Sequence, residues 1–144
     1  MLFQGISSVT IDAKGRLSVP TRHRDAIANQ FEGRLTITRH PDGCLMIFPR
    51  PEWEKYREKV LALPESVRWW KRILVGNAMD VEMDGAGRLL VPPELRQAVG
   101  LSKEAVLLGL GNVFELWDKA SYEAKEAETL QQQAMPDAIK DITL

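Results

Sequence analysis

The chain has 144 residues, 44% of them hydrophobic and 27% charged, and a net charge of −1; this fits one domain or two small repeats sharing a core and lies far from disordered chains. So small a net charge excludes a general polyanion binder, and any nucleic-acid role requires a local basic patch. A single cysteine excludes an internal disulfide and, with two histidines, leaves no zinc-ligand spacing, while the absence of any run near the ~18 apolar residues of a membrane span, or of a signal peptide, points to a cytoplasmic chain without metal, cofactor or membrane.

From the N-terminus, SSVTI reads as a strand entering the turn DAKG, where Asp12 and Gly15 suit a hairpin that needs positive φ. RLSV leads out as a second strand, and Pro20 ends it. RHRDAIANQF then reads as a helix, followed by the hairpin RLTITRHP, turn DG, CLMIF, with Cys44 as a small buried strand residue. PEWEKYREKVLAL and ESVRWWKRILVGN read as two helices split by Pro64. In the second, Arg68, Lys71 and Arg72 lie one turn apart as a secondary basic face, and Trp69 and Trp70 suit packing between subunits.

The pattern then begins again. VEM, turn DGAG and RLLV are stopped by Pro92 and Pro93; the helix ELRQAVG places Leu95, Ala98 and Val99 on one face; AVLLGL, turn GN and VFELW form a hairpin. A last helix runs from Lys119 to Gln133 and stops at Pro136, leaving a loosely held tail to Leu144.

A shift of 72 positions lays residues 9–27 over 81–99 with nine of nineteen identical, and a shift of 69 lays 44–54 over 113–123, matching Phe48 to Trp117 and Trp53 to Tyr122. Neither copy can bury a useful core alone. The two are expected to interleave into one β-rich barrel with helices at its edges, an α+β fold. The partition is 6–52 for the first repeat, 53–77 for a helical connector, 78–121 for the second repeat, and 122–144 for a C-terminal helix and tail.

Each copy carries Asp-x-x-x-Arg, as Asp12 to Arg16 and Asp84 to Arg88. The structural reading is a turn in which Asp accepts backbone N–H bonds, Gly15 or Gly87 supplies the left-handed residue, and Arg folds back as a charge-assisted partner. With no second acid, nucleophile or metal partner in the repeat, no enzyme is expected. The copies differ in charge. Residues 12–24 hold Lys14, Arg16, Arg22 and Arg24 against Asp12, a net of +3, whereas 84–96 hold Arg88 and Arg96 against Asp84 and Glu94, a net of zero. Such a cluster suits phosphate contacts, with a solvated basic surface as the plain alternative. His23 aligns with Leu95 and is expected to be packed.

The two turns, each followed by L-x-V-P, together with PEWE at 51–54, DGAGRLL at 84–90 and FELWD at 114–118, resemble the MraZ family. This is the two-domain bacterial branch of the AbrB/SpoVT swapped-hairpin superfamily, and the resemblance covers residues 1–125. It implies two tandem βαββ-type repeats forming one pseudo-symmetric swapped-hairpin β-barrel with flanking helices. It also implies a nucleoid-associated transcriptional repressor of its own operon in the division and cell-wall gene cluster, binding G-rich direct repeats of promoter DNA as a ring-shaped homo-oligomer. On that reading Lys14, Gly15, Arg16, Arg22 and Arg24 face DNA, while Asp12, Asp84, Gly87 and Arg88 build the turns; Arg16 or Arg22 would pair bidentately with guanine, and a ring would add avidity. An antitoxin-like module of the same superfamily and a structural ring scaffold are the alternatives.

Overall fold

Four prolines punctuate the chain in the same way. Pro20, Pro49, Pro64 and Pro92 have φ between −59° and −52° and each immediately precedes a helical segment, so the fixed proline φ ends one element and starts the next. The computed structural model describes residues 2–132 and 134–143. In chain order these form β1 (Phe3–Thr10), β2 (Arg16–Ser18), α1 (Thr21–Phe31), β3 (Arg34–Arg39), β4 (Leu45–Pro49), α2 (Arg50–Leu61), a 3₁₀ turn (Glu65–Val67), α3 (Arg68–Leu74), β5 (Met79–Glu82), β6 (Arg88–Leu90), α4 (Pro93–Ala98), β7 (Glu104–Gly111), β8 (Phe114–Asp118), α5 (Lys119–Gln132) and α6 (Asp137–Thr143). The fold is α+β with antiparallel strand pairing.

The strands do not pair as their turns suggest. The hairpin expected across DAKG is absent: β1 pairs with β7, β2 with β6, and β5 with β3. The turn itself still closes, with Asp12 N donating to Arg16 O at 2.9 Å and Gly15 N to Asp12 O at 2.9 Å, but its two strands leave for different partners. Only the second hairpin of each copy, β3–β4 and β7–β8, is local. The result is a six-stranded sheet ordered β1-β7-β8-β4-β3-β5 and a separate two-stranded ribbon, β2–β6.

Exchanging the copies turns that strand order into its own reverse. The registers agree: Leu17 faces Leu89 at the centre of the ribbon, and Met46 faces Glu115 at the centre of the β4–β8 seam. Both pairs relate residues matched by the sequence shifts, so a pseudo-twofold axis runs through them. The aromatic match holds as well, with Phe48 and Trp53 centroids 5.6 Å apart and Trp117 and Tyr122 5.7 Å apart.

The sheet is buried on both faces. One carries Leu35, Ile37, Leu45, Ile47, Phe114 and Leu116 into the main core, closed by Leu17, Leu89, Ile27 and Leu95 from the ribbon, α1 and α4. The other carries Met46 and Phe48 under α2 and α3, and Val106 and Trp117 under α5. Alternation along the strands produces both faces. Each fully buried Leu adds roughly 1.5–3 kcal/mol of transfer free energy.

Three details differ from the sequence expectations. The partition at 52/53 falls inside α2 and that at 121/122 inside α5. The tail contains a helix, α6, that the sequence did not announce; the expected helix end at Gln133 and the terminal Leu144 lie outside the described residues. Lys71, expected on a basic face, is buried, because its Nζ donates to Leu61 O at 3.2 Å at the C-terminus of α2, where a cation is favoured. No described helix is long and apolar enough to cross a membrane.

Candidate nucleic-acid interface

Both Asp–Arg turns have the same internal geometry. Asp12 Oδ1 accepts from Lys14 N at 2.9 Å and Arg16 N at 2.8 Å, and Oδ2 accepts from Arg16 Nε at 2.9 Å. Asp84 does the same with Ala86 N at 3.0 Å, Arg88 N at 2.8 Å and Arg88 Nε at 3.0 Å. The Arg16 backbone N–H, then its guanidinium and the Lys14 N–H, hold the Asp12 carboxyl below the usual range; the Arg88 and Ala86 N–H groups and the Arg88 guanidinium do so for Asp84. Each carboxylate is therefore a fixed anchor, spent on the turn and on one nitrogen of its arginine.

That leaves the terminal fork of each guanidinium available. Leu17 and Leu89 point into the core, so strand alternation sends Arg16, Ser18, Arg88 and Leu90 to the opposite, solvent-facing side of the ribbon. Arg16 lies opposite Leu90 and Ser18 opposite Arg88, which makes Arg16 and Arg88 diagonal neighbours, about 7–8 Å apart. Two anchored arginines thus share one face.

The arginines of the helix starts serve the turns crosswise. Arg24 Nε donates to Val19 O at 2.6 Å and Arg96 Nε to Val91 O at 3.0 Å. Arg24 then covers Gly87 of the second turn, and Arg96 covers Gly15 of the first. Val19 N donates to Gly87 O at 2.8 Å and Val91 N to Gly15 O at 2.9 Å, so each turn is clasped by the other copy.

This clasp regroups the charges. The first turn lies beside α4 and Lys103, where Lys14, Arg16, Arg96 and Lys103 meet Asp12; the second lies beside α1, where Arg24 and Arg88 meet Asp25, Glu32 and Asp84. The first turn thus keeps the more basic surroundings, but its charges come from both copies and not from one stretch of sequence. Among the described residues, Lys14, Arg22 and Arg24 have no carboxylate partner in a salt bridge.

Of the residues singled out from the sequence, Lys14 and Arg16 stay together at the first turn, and Gly15 is buried under Arg96. Arg22 turns towards β1, donating from Nη2 to Ser7 Oγ at 2.6 Å and from Nε to His23 Nε2 at 3.2 Å. His23 is packed, as its alignment with Leu95 suggests, with Phe3 and Phe114 centroids at 5.7 and 5.0 Å. Burial, then the Arg22 charge, lowers its pKa. Arg88, read from its motif as a turn residue only, is anchored in the same way as Arg16 and lies on the same face of the ribbon. No group of three or more His, Cys, Asp or Glu among the described residues is placed to hold a metal ion.

A family model described as "MraZ protein, putative antitoxin-like" matches residues 2–67 and 74–141. Proteins named Transcriptional regulator MraZ from Acidovorax sp. (strain JS42) and Acidovorax ebreus (strain TPSY) are each 69% identical over 142 residues, spanning 99% of this chain and 99% of theirs. The protein of that name from Burkholderia cenocepacia (strain HI2424) is 60% identical over 142 residues, with the same coverage.

Proposed function

The chain belongs to the MraZ family, and on that premise we propose that it is a transcription regulator binding double-stranded DNA through the outer face of the β2–β6 ribbon. The observation that carries the reading is the pair of anchored arginines, Arg16 and Arg88, with open forks on one solvent-facing ribbon. A two-stranded ribbon fits the major groove, and an arginine fork pairs bidentately with guanine O6 and N7. Lys14, Arg22 and Arg24 supply the flanking phosphate-attracting charge, and Gly15 contributes the turn geometry that aims Arg16. Asp12, Asp84 and Gly87 hold the turns.

The relatives' shared name, Transcriptional regulator MraZ, supports the regulatory role. The finer reading is a cytoplasmic, nucleoid-associated repressor of its own operon that engages G-rich repeats as a ring of identical chains. Strand exchange between the copies supports a swapped-hairpin barrel, with 6–52 and 78–121 as its repeats.

The test is titration of labelled DNA from upstream of the gene, against a scrambled duplex, across a salt series. Sequence-dependent binding that weakens steeply as salt rises is expected. Retention of neither duplex at low salt would reduce the chain to a scaffold.

A further inference from the structure

Each turn borders a cleft, and the pseudo-twofold axis makes the two clefts counterparts. Ile11 N donates to Lys103 O at 2.7 Å in the first, and Met83 N donates to Gly33 O at 2.8 Å in the second. Ile11 and Met83 are matched by the 72-residue shift, so Ser102 and Lys103 stand where the second cleft has Glu32 and Gly33. Both clefts open to solvent, with volumes of about 630 and 700 Å³. Size does not separate them; charge does.

Arg96 and Lys103 line the first cleft against Asp12, whereas Arg24 lines the second against Asp25, Glu32 and Asp84. Charges just outside leave the contrast standing: Asp118 sits behind Ser102, accepting from its Oγ at 2.7 Å, and Arg34 lies 3.5 Å from Glu32. Lys14 adds a cation at the first turn where the second has Ala86. Glu104 starts β7 and, by strand alternation, points away from Ala105 and the core that the ribbon closes. Among the described residues, neither Arg96 nor Lys103 has a carboxylate within salt-bridge distance.

The antiparallel strands β2 and β6 each follow their own turn, so the two turns lie at opposite ends of the ribbon. A major groove roughly 12 Å wide is walled by phosphates, which the ends of a ribbon lying in it meet. One end presents free cations and the other an acidic rim. We propose that the first cleft seats a backbone phosphate of DNA between Arg96 and Lys103 and that the second does not, so this pseudo-symmetric barrel lies on DNA in one polarity. Arg96 commits Nε to Val91 O and offers its terminal nitrogens, while Lys103 supplies a mobile point charge. An open cleft suits a phosphate carried on a polymer, since nothing encloses a free anion there. The proposal rests on the DNA reading above and adds second-copy residues to the surface of the first turn.

Fluorescence anisotropy on the upstream duplex and a scrambled one, across a potassium chloride series, tests it with the full chain. Lys103→Gln is expected to weaken both duplexes alike, by roughly 3- to 10-fold, and to make the slope of log K against log salt shallower by about 0.9, the loss of one phosphate contact. Lys103→Arg should restore the slope. Asp25→Gln with Glu32→Gln, on the counterpart cleft, should leave it unchanged; all these side chains are exposed, and circular dichroism checks that the variants fold. A wild type that binds neither duplex at low salt overturns the DNA reading and this site together. Wild-type binding with an unaltered slope in Lys103→Gln overturns the phosphate seat alone. A steeper slope in the Asp25→Gln, Glu32→Gln variant would show phosphate reaching both ends and overturn the single polarity.

Discussion

The guanidinium of Arg24 lies where a side chain on Gly87 would be: a Cβ built there comes within 2.5 Å of Arg24 Nε. Arg96 stands in the same relation to Gly15, at 2.6 Å from Cζ, and both glycines have positive φ, 77° and 86°. Gly15→Ala and Gly87→Ala therefore combine backbone strain with displacement of the arginine that clasps the turn. Each is expected to lower unfolding free energy by about 1–3 kcal/mol in urea titration. Gly85→Ala, where nothing lies within 4 Å of the added carbon, should stay within about 0.5 kcal/mol of wild type.

Arg16→Ala and Arg88→Ala are expected to weaken binding to upstream DNA by similar factors, on the order of 10- to 100-fold each, equivalent to ~1–3 kcal/mol per bidentate base contact. Arg16→Lys should lose most of the same affinity, since a lysine keeps the charge without the planar fork. Fluorescence anisotropy on folded, fully assembled variants reads both effects. An Arg88→Ala variant that binds like wild type would confine the interface to the first turn.

Stability should depend on pH through His23. Its imidazole is buried between Phe3 and Phe114 and accepts from Arg22 Nε, so the folded state resists protonation while the unfolded chain takes up a proton near pH 6.5. The unfolded state then binds more protons, and stability falls as pH drops through the unfolded pKa, with the loss complete below the folded one. His23→Leu, which copies Leu95, should reduce the stability difference between about pH 7.5 and about pH 5 in denaturant titrations. An unchanged difference would mean that other groups carry it.

Cys44 should be inert in the native chain. It is fully buried, and burial, followed by the charges of Glu115 and Asp42, pushes its thiol pKa up. An aromatic disulfide reagent should label it only at the rate of unfolding, and labelling should become fast in denaturant. Fast native labelling would show that the strands over Trp117 open readily.

The sequence made the turns legible because Asp12, Gly15 and Arg16 act within five residues, and the geometry of such a unit is local. The helices and the β3–β4 and β7–β8 hairpins were legible for the same reason. Strand partners were not. Period-two alternation reports which face Leu17 or Leu89 occupies, but not that they face each other across two copies. The charge sum along the sequence assumed that chain neighbours are spatial neighbours, whereas Arg24 covers Gly87 of the second turn and Arg96 covers Gly15 of the first. Lys71 misled in a third way: helical spacing placed it beside Arg68 and Arg72, while the open carbonyl of Leu61 that receives it belongs to the preceding helix.

The pairing of β1 with β7 has a consequence for synthesis. Phe3 meets Gly111 and Thr10 meets Glu104, so the first strand made has no partner until roughly a hundred further residues have left the ribosome. At ~5–20 residues per second this wait is roughly 5–20 s. Throughout it, β1 presents an unsatisfied edge to the cell. A nascent chain stalled before β7 would thus be a substrate for chaperones and proteases, and the interleaving that unites the two copies makes the last third of the message a condition for folding the first.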